Sequence, residues 1–320
     1  MEPKKIVHFL YCPFTGLGLY NGFRGNRWLK NRIQIFKQFV VPSLLAQTSK
    51  NFVLWVSWRY EERTNRHVKE FKKFLDGIQE FKSVFTYSGI CFYDDKYEDK
   101  VARSRLAEAV HGSLAELFEP IGITDYVLMT IQPSDDLYHK EMVEQIQGAF
   151  DRNSKLQALG FTKGYLANYR TLEIREYNPN TNPPFYTIKF PTPIFIEPFK
   201  HIDYTGIKHD RGKYKAGTPL PSHEYVGDVF GENYGLIGQR GFLVGTHGEN
   251  ISTYFNHPFG GQEVDKSILE DFGLRGVQPI KLKVSLRRVV MRNLPYGWQR
   301  RLRYWLGERF FAKIYEFLRS

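Results

Sequence analysis

The first half of this chain alternates two different hydrophobic periods, and that alternation narrows the fold more than any other feature. Runs of β-branched and aromatic residues, KIVHFLY (5–11), FVLWVSW (52–58), SVFTYS (83–88) and YVLMTI (126–131), read as strands. Between them, WLKNRIQIFKQFVVPSLLAQ (28–47), RHVKEFKKFLDGI (66–78) and ARSRLAEAVHGSLAELF (102–118) repeat apolar residues every three or four positions, the spacing of an amphipathic helix. Strands joined in sequence through helices pair in parallel and carry the helices on the sheet faces, so the pattern predicts a doubly wound, mainly parallel α/β sheet. In such sheets ligands bind beyond the carboxyl ends of the strands.

From about residue 160 the texture becomes GYLANYRTLEIREYN and PFYTIKFPTPIFIEPF, with Pro and Asn between β-like runs. This predicts a β-rich second half continuing the same domain, since no linker-like stretch divides the two. The expected organisation is one α/β domain over residues 1–280 and a helical, basic C-terminal extension over 281–320. The extension holds eleven Lys or Arg against Glu308 and Glu316, so +9 of the chain's net +11 lies there and the main body is close to neutral. Within it Leu302, Leu306, Phe310, Ile314 and Phe317 recur at helical spacing, with Trp298 and Trp305 beside them and Arg300, Arg301, Arg303 and Arg319 on the flanks. Arg309 and Lys313 fall inside the apolar arc, which an anionic membrane surface tolerates through snorkelling; packing of the stripe on the main body is the other reading.

No apolar run approaches the ~18 residues of a membrane span, and the N-terminus enters a strand-like pattern directly instead of a signal peptide. The expected location is the cytoplasm, either free or peripheral on the inner face of the membrane. Two cysteines, Cys12 and Cys91, are too few for a disulfide framework and lack CxxC spacing for zinc, so both are expected in the core.

One strand ends in charge. YVLMTIQPSDDLYHKEMVEQI (126–146) passes from an apolar run into the adjacent carboxylates Asp135 and Asp136. Crowded carboxylates need a cation or hydrogen-bond donors, and a hard cation such as Mg²⁺ or Mn²⁺ prefers oxygen ligands of this kind. SDDLYHKEMVEQI is equally a good helix start with an Asp N-cap, and the pair alone leaves both readings open.

Three landmarks resemble a family of bacterial sugar transferases described as rhamnosyltransferases, with a GT-A-like nucleotide-sugar fold. RWLKNRIQIFKQFVVPSLLAQTSKNFVLWVSW (27–58) resembles the family's Trp-Leu…Arg…Phe helix, Pro-Ser-Leu…Gln-Thr…Asn-Phe segment and Trp-bearing strand. TIQPSDD falls on its Arg-Leu-Asp-x-Asp-Asp strand end, and GFLVGTHGENIS (241–252) on its Leu-x-x-x-His-Gly-x-Asn-x-Ser pattern. The likeness spans about residues 27–252. This sequence departs from it at Pro133, where the family's first Asp falls, and at Ile131, where its Arg falls; the acid expected after the second strand is displaced to Glu61 or Glu62.

The resemblance implies a metal-assisted glycosyltransferase of the hexosyltransferase type, moving a sugar from a nucleotide-sugar donor to a glycan or lipid-linked glycan acceptor in polysaccharide biosynthesis. Rhamnose is suggested by the family name alone. It also implies a Mn²⁺ or Mg²⁺ ion on Asp135, Asp136 and His247, with Asp135 beside the donor. His223, Glu224 and Asp228 in SHEYVGDVFGEN (222–233) include a candidate general base for the acceptor hydroxyl, or form a solvated loop. Arg103 and Arg105 at a helix start could meet phosphate oxygens of the donor, or line a solvated helix face. Asp94 and Asp95 lie in a mixed charge run typical of an exposed loop, and GLGLYNGFRGN (16–26) reads as a loop near the donor pocket. The rival function is a non-catalytic binder of anionic polymer or membrane through the basic extension; no specific nucleic-acid partner is expected.

Overall fold

Four parallel strands carry the first half of the chain: β1 (Ile6–Pro13), β2 (Val53–Trp58), β3 (Lys82–Tyr87) and β4 (Tyr126–Ile131), all where the apolar runs predict them. In this computed structural model the described residues are 5–15, 25–87, 117–122, 124–180, 183–196, 223–247, 250 and 255–282. The strands lie in the order β3-β2-β1-β4, with β2 buried along its whole length, as a parallel strand covered on both faces must be. Because β2 and β3 lie on one side of β1 and β4 on the other, the winding reverses between β1 and β4. A crevice opens at such a switch point, outside the carboxyl ends of the two strands.

Alternation along β1 and β2 splits the core between the two faces. Leu10, Cys12, Phe14, Leu54, Val56 and Trp58 join one apolar cluster, while Phe9, Tyr11, Val53 and Trp55 join the other. Cys12 is a buried free thiol, as expected, and Cys91 lies outside the described residues. The first long helical pattern folds as α1 (Asn26–Ile35), a π-helical turn over Phe36–Val40 and α2 (Val41–Leu45). Pro42 has no N–H to give its helix, and the wider register immediately before it is the local adjustment. The second pattern is α3 (Arg66–Asp76), capped by the Asn65 side chain accepting from the His67 N–H at 2.9 Å and burying Val68, Phe71 and Leu75. Of the third pattern only Leu117 and Phe118 are described; both are helical and buried.

After β4 come β5 (Leu137–Tyr138), α4 (Met142–Arg152), β6 (Ala158–Asn168), β7 (Glu173–Tyr177), β8 (Tyr186–Pro191), β9 (Tyr234–Thr246) and β10 (Gly260–Val264). The β-rich second half is therefore present, but the sheet is not mainly parallel. Among the described residues parallel pairing is confined to β1–β4 and to β6 with β9; β4–β8, β8–β6, β6–β7, β7–β10 and β5–β9 are antiparallel. The reason is connection length. A four-residue turn from β6 to β7, with Leu172 at φ 62, is too short for the crossover that parallel pairing requires. The C-terminal extension falls almost wholly on residues 283–320, outside the described residues, and no described helix is long and apolar enough to cross a membrane.

Candidate functional site at the carboxyl ends of β1 and β4

The main chain beyond β4 is tied down before any side chain enters the crevice. The Gln132 N–H donates to Tyr11 O at 2.7 Å, and its side-chain amide donates to Pro133 O and Asp136 O at 2.9 and 2.8 Å. The Tyr138 hydroxyl donates to Ile131 O at 2.5 Å and the Tyr169 hydroxyl to Asp135 O at 2.9 Å. Tyr169 is itself fixed by stacking on Phe39 with ring centroids 3.8 Å apart, a contact of about 0.5–1.5 kcal/mol beyond its burial. The helix-cap reading of the acidic pair fails. Leu137 and Tyr138 continue as β5 against Leu243 and Phe242 of β9, and the next helix begins only at Met142 with no side-chain cap.

Pairing of β5 with β9 brings the end of β9 onto the acidic pair. Gly245 N–H donates to Asp136 Oδ1 at 2.9 Å, and a Cβ at this glycine would lie 2.3 Å from Asp135 O and from the Tyr169 ring, so only glycine permits the approach. Asp135 points the other way. Its Oδ2 meets His247 Nε2 at 3.0 Å, the Asn250 side-chain amide at 3.4 Å and the Arg32 guanidinium in an ion pair. Asn250 also accepts from the His247 N–H at 2.8 Å and donates to Gly245 O at 2.5 Å, closing the chain after β9 onto the same point.

Burial makes these contacts strong. Arg32 is 2 % exposed, His247 fully buried and Asp136 7 % exposed, while the Asp135 side chain is 14 % exposed. Desolvation alone would raise Asp135, but the charge of Arg32 and the hydrogen bond from His247 outweigh it and hold the carboxyl at about 2. Asp136 moves in the opposite direction: burial and the neighbouring Asp135 charge push it well up, against the weaker help of the Gly245 N–H and Arg32. One member of the pair is an anion and the other tends to keep its proton.

A second buried carboxyl lies at the adjoining strand end. Glu62, 3 % exposed, follows β2 and accepts from the Thr15 hydroxyl and, at 3.3 Å, from the Arg59 N–H. Its Oε1 is buried with no hydrogen-bond partner, and burial raises its pKa against those two donors. Glu61 is turned outward beside Arg59, so of the two acids after β2 only Glu62 is buried.

The structure thus brings Asp135 and His247 together and sends Asp136 to Gly245. Glu224 and Asp228 are exposed on a short helical segment, His223–Tyr225 followed by Val226–Phe230, and neither is hydrogen-bonded or ion-paired to the acidic pair; His223 is half-buried at its start. Arg103, Arg105, Asp94, Asp95 and Gly248 lie outside the described residues. Arg32 and Asn250 stood inside the quoted landmarks without a role. The signal for Arg32 was a charge set in an apolar helix stripe, one turn after Trp28 and between Leu29, Ile33 and Phe36, which demands a buried partner.

As folded, the donor set does not fit a resident Mn²⁺ or Mg²⁺. Among the described residues no group of three or more His, Cys, Asp or Glu is arranged to hold a metal. Asp135 Oδ2, the oxygen facing His247, already receives three donors. With Asp135 ionised, His247 Nε2 is the proton donor in that contact, so a metal on this nitrogen would have to displace both the proton and the hydrogen bond.

No protein-family model matches the sequence, and no curated protein matches it. Among solved structures, the 1–349 fragment of Staphylococcus aureus TarS aligns over 75% of this chain at 10% identity with a TM-score of 0.38. A Desulfovibrio desulfuricans G20 protein described as a nucleotide-diphospho-sugar transferase aligns over 76% of this chain and 82% of its own at 13% identity, TM-score 0.34. Helicobacter pylori mannose-6-phosphate isomerase aligns over 60% of this chain and 72% of its own at 15% identity, TM-score 0.26. This chain spans 60% of the TarS fragment. Likenesses at these TM-scores carry no inference about activity, which rests on the crevice itself.

Proposed function

We propose that the chain is a glycosyltransferase that moves a sugar from a nucleotide-sugar donor to a glycan or lipid-linked glycan acceptor, with rhamnose the donor sugar suggested by the resemblance. The observation that supports this reading is convergence. Arg32 from the first landmark, Asp135 from the second and His247 with Asn250 from the third meet at one carboxylate oxygen, at the switch-point crevice where an α/β sheet binds its ligand.

In this reading the Arg32–Asp135–His247–Asn250 group forms a rigid, charge-balanced floor under the donor. Glu62 Oε1, buried and without a partner, would accept from the nucleoside, and Thr15 and the Arg59 N–H hold its other oxygen for that task. We assign the diphosphate contacts to Arg103 and Arg105 and the acceptor-activating base to Glu224 or Asp228, both exposed carboxylates. Fixed charges and donors aimed at a developing leaving-group charge are the main source of rate in such transfers.

The test is a panel of UDP-, GDP-, dTDP- and CMP-activated sugars with full-length protein, scored by nucleotide release and by thermal shift with the free nucleotides. The reading expects one nucleotide class to raise the melting midpoint and Glu62→Gln to weaken that response. If no nucleotide shifts the midpoint and no donor is turned over, the transferase reading is wrong.

A further inference from the structure

We propose that the guanidinium of Arg32 is the resident counter-charge of the acidic pair, standing where a divalent cation would otherwise be required, so that the site works independently of metal. The ground is what surrounds Asp135. Arg32 from α1 and His247 with Asn250 from the segment after β9 converge on Asp135 Oδ2, so a metal bound to that oxygen at about 2.0–2.1 Å would have to displace them. Asp136 is no substitute ligand, since its Oδ1 takes the Gly245 N–H and the residue is 7 % exposed.

Arg32 is held for this role by its own helix. It sits on the buried side of α1, with the guanidinium 5.4 Å from the Trp28 ring centroid one turn earlier. Arginine does not lose its proton in proteins, so the positive charge is permanent and independent of ion supply. A divalent ion on this oxygen would have to push the guanidinium, 2 % exposed, away from the Asp135 carboxylate and break a buried ion pair. Arg32 is a positioning residue here: it fixes the Asp135 carboxylate and neutralises it, and acts on any ligand through that carboxylate.

This inference draws on the transferase reading only for its catalytic consequence, and its test does not need turnover. Mn²⁺ binding to full-length wild-type protein is measured by electron paramagnetic resonance and by thermal shift, with and without EDTA. No saturable Mn²⁺ binding and an EDTA-insensitive midpoint are expected. Arg32→Gln should melt lower and acquire a Mn²⁺-dependent rise in midpoint, lost again when Asp135→Asn is added, whereas Arg32→Lys should recover much of the midpoint without metal. A purely structural arginine would give the lowered midpoint without the acquired metal response, and that result overturns the proposal. Saturable Mn²⁺ binding by wild type, abolished by Asp135→Asn, overturns it as well, and this arm decides the matter even if Arg32→Gln does not fold. A chain that turns over no nucleotide sugar yet shows the acquired metal response loses its proposed function and keeps this one.

Discussion

His247 Nε2 stands 3.0 Å from Asp135 Oδ2 across 112 residues of chain, while Asp136, the very next residue, turns its carboxyl to the Gly245 N–H. Asp135 lies in the turn after β4 and Asp136 leads out of it into β5, and one carboxyl meets Arg32 and His247 while the other meets the end of β9. The two environments drive the pair apart electrostatically, one down to about 2 and the other well above the usual carboxylate range.

The two aspartates should therefore respond differently to the same substitution. Asp135→Asn leaves the Arg32 cation buried without its counter-charge and is expected to cost about 3–5 kcal/mol at neutral pH. Asp136→Asn keeps an oxygen for Gly245 and removes only a carboxyl that resists ionising, so its stability should lie within about 1 kcal/mol of wild type near pH 4 and exceed it as pH rises. The pH dependence differs in sign too. The Asp135 contribution is present above its unfolded value near 3.8 and fades as pH falls toward 2. The Asp136 contribution is present below that unfolded value and is lost as pH rises through its raised folded one, a loss the Asn variant should not show. Urea midpoints of both variants across pH check this, and equal losses at neutral pH would refute the division of charge.

What the sequence made legible was set by period and composition. The four parallel strands and the helices between them were readable because β-branched runs and helical spacing differ over lengths a pattern can resolve. The direction of β6 to β10 was not, because antiparallel pairing depends on short turns such as that at Leu172, whose φ of 62 no composition announces. At the site, paired carboxylates at a strand end and a His-Gly-x-Asn stretch drew notice as residue types. The convergence of Arg32 with Asp135 was hidden, since a lone arginine in a helix is ordinarily solvated and only burial on the Trp28 side of α1 distinguishes this one. Gly245 was likewise invisible, being required by a close approach between elements over a hundred residues apart.

Gly245→Ala should damage the site from the backbone outward. The added methyl would meet Asp135 O and the Tyr169 ring at 2.3 Å, so either β9 must withdraw from the acidic pair or the Phe39–Tyr169 stack must open. Overpacking of this kind costs about 1–3 kcal/mol. Chemical denaturation measures the loss, and tyrosine near-ultraviolet circular dichroism should change with it. A variant with wild-type stability and an unchanged spectrum would show that β9 does not approach as closely as described.

The last expectation concerns the opposite end of the sheet, where His8 governs the acid limb of stability. His8 is 3 % exposed on β1, and its Nε2 lies 2.8 Å from the Thr130 hydroxyl, which in turn is 2.5 Å from Thr187. The Gln147 amide nitrogen stands 3.3 Å from Nδ1; an amide N–H can only donate, so Nδ1 accepts and the ring is the neutral tautomer with its proton on Nε2. Burial lowers the imidazole from 6.5 to about 3, and the adjoining cavity of about 340 Å³ brings Asp151 and Lys189 near it as one charge of each sign. Between those two values the unfolded chain binds the extra proton and the folded chain does not. The contribution of His8 is thus complete above pH 6.5 and is lost as pH falls toward 3, at about 1.4 kcal/mol per unit. His139 and His257, also lowered by burial, feed the same limb, so the informative quantity is the difference between wild type and a variant. His8→Gln should lose about 1 kcal/mol at pH 7.5 from poorer hydrogen bonding, then fall less steeply than wild type on acidification and overtake it before pH 4. Urea midpoints at several pH values between 7.5 and 4 follow the two curves, and parallel curves would mean that His8 is protonated in the folded chain or already open to water.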